Sequence, residues 1–152
     1  MKQILVFVLA SVFLLSSCAA QASQGVEVRA AWARPAAQGG NGAVYLTIRS
    51  SGADELVRVV SDIAEATEMH ESLMSGDVME MHQLQSVPLK AGEEVTFEPG
   101  GLHIMLIGLK QDLKTGNEFE ITLQFKHEAE IKVTIPVQDT PASEENPLAA
   151  IP

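Results

Sequence analysis

From Gly25 onward, apolar and polar residues alternate in short stretches with a period near two, and no stretch sustains the 3.6-residue period of a helix. Ile121, Leu123 and Phe125 fall on one side of an extended segment, while Thr122, Gln124 and Lys126 fall on the other. The same pattern predicts strands over Val26 to Ala33, Ala43 to Arg49, Leu56 to Ser61, Glu65 to Glu71 and Val78 to Gln83. Further strands are predicted over Glu94 to Phe97, His103 to Ile107, Glu118 to Lys126 and Ile131 to Val137. Between them lie segments with turn chemistry, such as Gly39-Gly40-Asn41-Gly42, Ser75-Gly76-Asp77, Pro99-Gly100-Gly101 and Thr115-Gly116-Asn117. Short strands at this spacing predict an all-β sandwich or barrel over residues 25–138. Residues 139–152 are rich in Pro, Ala, Ser and Glu and are expected to form a flexible tail.

The first residues break this pattern. Lys2 precedes an apolar run from Ile4 to Leu15, too short for a comfortable membrane span and followed by small residues, so residues 1–22 have the layout of a bacterial export signal. Leu15-Ser16-Ser17-Cys18 looks like a lipobox, which would make Cys18 the lipidated first residue of the mature chain. Ala20-Gln21-Ala22 is a competing cleavage site that would release a soluble protein. The lipobox is the preferred reading, because the only cysteine of the chain stands where lipidation requires one. The expected location is the periplasm or cell envelope, with membrane attachment only through a lipid anchor.

Either cut leaves no cysteine for disulfides or thiolate chemistry. About 130 residues remain, the size of one domain with one core. With 10 basic against 20 acidic residues and a formal net charge of −10, the composition argues against nucleic acid and against electrostatic binding to anionic lipid.

The candidate chemistry lies in methionine and histidine. Met69, Met74, Met79 and Met81 fall within thirteen residues that also include His70, with His82 next in line. Met105 follows His103 by two. On an extended strand residues two apart share a face, so His103 projects beside Met105, and Met79 beside Met81. Thioethers are soft neutral ligands that select Cu(I), and imidazole accepts either copper state, so a mixed set without thiolates or carboxylates points to copper. Zinc would call for cysteine or more histidine, and calcium for clustered oxygen. Methionine also fills cores without ligating anything, and the methionines alone would favour that reading. Two histidines at matching offsets shift the balance toward a site.

Written as spacing, the cluster is His70, ten residues, Met81, twenty-one residues, His103, one residue, Met105, with Met69 just before the first histidine. This resembles the H(M)-x10-M-x21-H-x-M pattern of the PCuAC family of bacterial periplasmic copper chaperones. Ala31-Trp32-Ala33-Arg34-Pro35, Gly42-Ala43-Val44-Tyr45-Leu46 and the stretch from Pro99 to Leu106 are similar to that family's segments at the same relative places. The resemblance covers Val26 to Val137. It implies a cupredoxin-like Greek-key β-sandwich that holds Cu(I) through His70, Met81, His103 and Met105, and a monomer is the default expectation. It also implies delivery to the Cu-A centre of cytochrome c oxidase subunit II alongside a Sco-type copper protein. Met69 and Met79 are auxiliary candidates, and a Cu(II) state is a further expectation.

Other residues receive plainer readings. His82 points away from Met81 and is expected on the solvent side, and His127 is expected to be structural or exposed at a hairpin end. Trp32 and Tyr45 read as core or rim aromatics. Glu65, Glu68 and Glu71 read as surface charge, although one carboxylate of this group could orient a metal-bound imidazole. A blue-copper electron carrier is excluded because its site needs a cysteine thiolate. Enzymatic activity is not expected, since no nucleophile with a base and no carboxylate pair stands out. The alternative function is a copper-sequestering lipoprotein without a specific recipient.

Overall fold

The structure, a computed structural model, describes residues 25–76 and 78–140. The export segment, Cys18 and the tail beyond residue 140 lie outside the described residues. Ten strands run in chain order: β1 Val26–Ala33, β2 Gly42–Ser50, β3 Asp54–Val60, β4 Ala64–Ser75, β5 Val78–Leu84, β6 Val87–Leu89, β7 Glu94–Phe97, β8 Leu102–Leu109, β9 Glu118–Phe125 and β10 Ile131–Pro136. No helix occurs among the described residues.

The strands form two antiparallel sheets. One has the order β1-β2-β8-β4-β5, with β7 also paired to β2, and the other has the order β10-β9-β3-β6. The chain changes sheet after β2, β3, β5, β6 and β8, so strands adjacent in a sheet are often distant in sequence. This is the cupredoxin-like Greek-key sandwich expected from the sequence. Its consequence for the site is that β8 lies between β2 and β4, with β5 beyond.

Alternating side chains build the core between the sheets. Val44, Leu46 and Ile48 of β2 and Ile104 and Leu106 of β8 meet Leu56, Ile121, Leu123 and Ile135 from the opposite sheet, and all are essentially inaccessible. Each such side chain contributes about 1.5–3 kcal/mol through burial. In β3 a register shift between Leu56 and Arg58 lets Leu56 and Val59 both face inward although they are three apart.

Most strand ends shift by one or two residues from expectation, and two features differ more. Strand β4 runs to Ser75 rather than Glu71, because its final residues pair with β5 down to Ser75 opposite Val78. Gly76 closes this hairpin at φ +63, a conformation open to glycine without a steric penalty. Strand β6 has three residues and carries too little alternation to stand out in the sequence. It forms by pairing Val87 and Leu89 with Leu56 and Asp54.

Candidate metal centre

His70, Met74, Met79, Met81, His103 and Met105 gather on the outer face of the first sheet, opposite the core. His70 of β4 stands directly across from His103 of β8, and their ring centroids are 5.8 Å apart. The same two strands pair Glu68 with Met105, while Ala43 of β2 faces Met105 from the other side. On the outer strand, β5, Met81 pairs with Ser72 and Met79 pairs with Met74. Met79, Met81, His103 and Met105 line one open cavity of about 460 Å³ together with Arg34, Tyr45 and Ser72. His70 lies beside His103 on the next strand and is not part of the cavity wall.

Each imidazole has one nitrogen committed. The His103 Nδ1–H donates to the Gly101 carbonyl at 3.0 Å; a carbonyl can only accept, so the ring's Nε2 carries the free lone pair. That carbonyl also accepts the Ser72 N–H at 3.1 Å and is held in a tight turn where the Gly101 N–H donates to Glu98 O. Gly100 sits in this turn at φ +85, so the Pro99-Gly100-Gly101 turn fixes both the start of β8 and the tautomer of its histidine. For His70, Nε2 lies 2.8 Å from the Glu68 carboxylate. Its Nδ1 is buried without any hydrogen-bond partner. An orphaned buried nitrogen is rare in a folded protein and is what an imidazole awaiting a metal would present.

The two sulfurs expected as ligands differ in exposure. Met81 is half exposed, as is Met79 beside it, whereas Met105 is partly covered. Single exposed apolar side chains are ordinary but contiguous ones are not, and among the described residues Leu73, Met74, Val78, Met79 and Met81 gather on one hairpin. Among the described residues no group of three or more His, Cys, Asp or Glu side chains is placed to hold a metal ion. The donors gathered on this face are imidazoles and thioethers, a set that fits a soft monovalent ion.

Met69 corrects one expectation. It is 5% exposed, pairs with Ile104 and packs in the hydrophobic core, because an odd offset from His70 turns it to the inner face. Glu68 is bonded to His70, which departs from the surface-charge reading and matches the alternative that one carboxylate of this group contacts a histidine. Met79 remains at the cavity. His82 is exposed and faces Glu80 at 3.4 Å, and His127 is exposed at the turn after β9, both in line with the plainer readings. Sequence reasoning did not find Arg34 and Ser72 as cavity residues. The guanidinium of Arg34 lies 5.9 Å from the Trp32 ring and 5.7 Å from the Tyr45 ring, whose centroids are 4.8 Å apart. The signal for it was its place two residues after Trp32, at the end of β1.

Comparison with known proteins places this geometry. The family model described as "Putative lipoprotein LpqE-like" matches residues 26–137, nearly the whole sandwich. The chain belongs to the LpqE-like family. A protein of Leifsonia xyli subsp. xyli that likewise carries a lipoprotein name is 32% identical over 127 residues, covering 82% of this chain and 76% of the relative. An uncharacterized protein of Rickettsia prowazekii is 34% identical over 113 residues, covering 70% of this chain and 62% of that protein. Among solved structures, the copper-bound PCuAC domain from PmoF2 superposes with a TM-score of 0.64 at 20% identity, over 76% of this chain and 93% of that domain. The solution structure of CuI-DR1885 from Deinococcus radiodurans gives a TM-score of 0.54 at 27% identity, over 77% of this chain and 82% of that one. The LpqE-like sandwich thus has the fold of PCuAC domains, as the Met/His spacing led one to expect.

Proposed function

We propose that this protein is a copper chaperone of the bacterial cell envelope, not an enzyme, that carries Cu(I) on His70, Met81, His103 and Met105 and releases it to a recipient protein. The observation that carries this reading is the pairing of His70 with His103 on neighbouring strands, each ring with one nitrogen committed and one free, beside a cavity walled by Met79, Met81 and Met105. Neutral sulfur and nitrogen donors leave the charge of the ion uncompensated, and the half-exposed Met81 leaves it within reach of competing ligands. Both features favour exchange over storage. The copper carried by the structurally similar PmoF2 and DR1885 proteins supports the same cargo.

The recipient we propose is the Cu-A centre of cytochrome c oxidase subunit II, reached with a Sco-type copper protein, and the anchor is a lipid on Cys18. The lipoprotein names of the family and of the Leifsonia relative support the anchor. Anaerobic titration with Cu(I) against a competing chelator tests the site. Wild type should retain one equivalent that the Met81→Ala/His103→Ala double variant gives up. Equal loss of copper from both proteins would overturn the reading. Deletion of the gene then separates delivery from sequestration. Impaired oxidase assembly at limiting copper supports delivery, and sensitivity confined to excess copper supports the sequestering lipoprotein.

A further inference from the structure

The two histidines offer opposite nitrogens. The backbone carbonyl of Gly101 holds Nδ1 of His103, which leaves Nε2 free, whereas Glu68 engages Nε2 of His70 and leaves Nδ1 buried and unpartnered. Nδ1 is bonded to the ring carbon that carries the side-chain stem, and Nε2 lies farther out. An ion shared by these rings would be met by a short arm from β4 and a long arm from β8. We propose that Glu68 is a positioning residue that holds His70 as the Nε2–H tautomer and thereby assigns Nδ1 to the cargo ion. This assignment rests on the copper reading above.

Three features support it. Glu68 and His70 are two apart on β4 and so share the outer face, which lets the contact form without distorting the strand. The His70 side chain is 13% exposed and that of Glu68 30%, so water competes weakly for the contact. An ionised carboxylate accepts hydrogen bonds and donates none, so the proton of this contact belongs to the imidazole. A carboxylate behind a metal-bound imidazole raises the basicity of the ring and fixes its orientation.

The test uses the purified protein with Glu68→Ala and Glu68→Gln. Long-range nitrogen–proton NMR of the metal-free wild type should show His70 as the Nε2–H tautomer and His103 as the Nδ1–H tautomer. In Glu68→Ala, His70 should become a tautomer mixture while His103 keeps its tautomer and the protein stays folded. Cu(I) affinity should fall about 10–100-fold. Glu68→Gln, whose amide oxygen still accepts from Nε2–H, should retain the tautomer and recover part of the affinity. An Nδ1–H tautomer for His70 in the metal-free wild type, or wild-type Cu(I) affinity in Glu68→Ala, overturns the proposal. If the wild type shows the expected tautomers but holds no Cu(I), the copper reading fails and the tautomer assignment stands.

Discussion

Of the three imidazole–carboxylate pairs among the described residues, His82 and Glu80 are both open to solvent, and the two pairs with a covered member are built in reverse of each other. At the turn following β9, Asp54 is the buried partner, its side chain 2% exposed, and His127 is the outer one at 68%. Asp54 accepts backbone N–H groups from Glu55, His127 and Glu128 at 2.8–3.0 Å, and the His127 ring adds a fourth contact at 3.1 Å. Burial opposes ionisation of this carboxyl, but the backbone donors and the imidazole outweigh it and hold the group below the usual carboxylate range. On β4 the imidazole is the covered partner, its carboxylate is more open, and one ring nitrogen is left over. A carboxylate saturated by backbone donors ties a turn together. An imidazole with a spare buried nitrogen beside thioethers is equipped for a ligand.

The largest expected effect separates the two histidines directly. His70→Ala should weaken Cu(I) retention beyond the roughly hundredfold that marks the upper end for partners outside the coordination sphere, while His127→Ala leaves it unchanged. Competition with a Cu(I) chelator measures both, and equal losses would erase the distinction. Stability should divide the other way. Asp54→Ala leaves several backbone donors unpaired and should cost about 3 kcal/mol in denaturant unfolding, with copper retention intact.

Acid provides a subtler test of the same pair. Because the folded state depresses the Asp54 carboxyl, its stabilisation is complete above the ordinary aspartate range and is lost as pH falls through the depressed value. Unfolding midpoints of wild type and Asp54→Asn should therefore converge toward low pH. A gap that persists there would show that the charge of Asp54 is not what matters. The smallest effect belongs to His127→Ala, which removes one exposed contact and should cost under about 1 kcal/mol in the same unfolding assay.

Much of the sandwich was legible in the chain. Nine of the strands follow from alternation bounded by turn residues, since a period of two has one extended solution once one face must be buried. Strand β6 was not legible, because three residues hold no period and only the edge of β3 gives them a partner. The placement of Met79 beside Met81, and of His103 beside Met105, likewise follows from spacing on a single strand.

The sequence by itself thus determined the strands, the soft character of the donors and the pairs that share a face, all local consequences of side-chain chemistry and a two-residue period. Tertiary structure alone decided which strands lie side by side. Strand β8 enters between β2 and β4, bringing His103 against His70 across thirty-three residues of chain, and no local rule specifies that neighbour. The same packing sent Met69 into the core while its neighbour His70 faced outward, and it set Glu68 against the ring. Local sequence establishes that adjacent residues face opposite ways; only burial against the second sheet establishes which way is in.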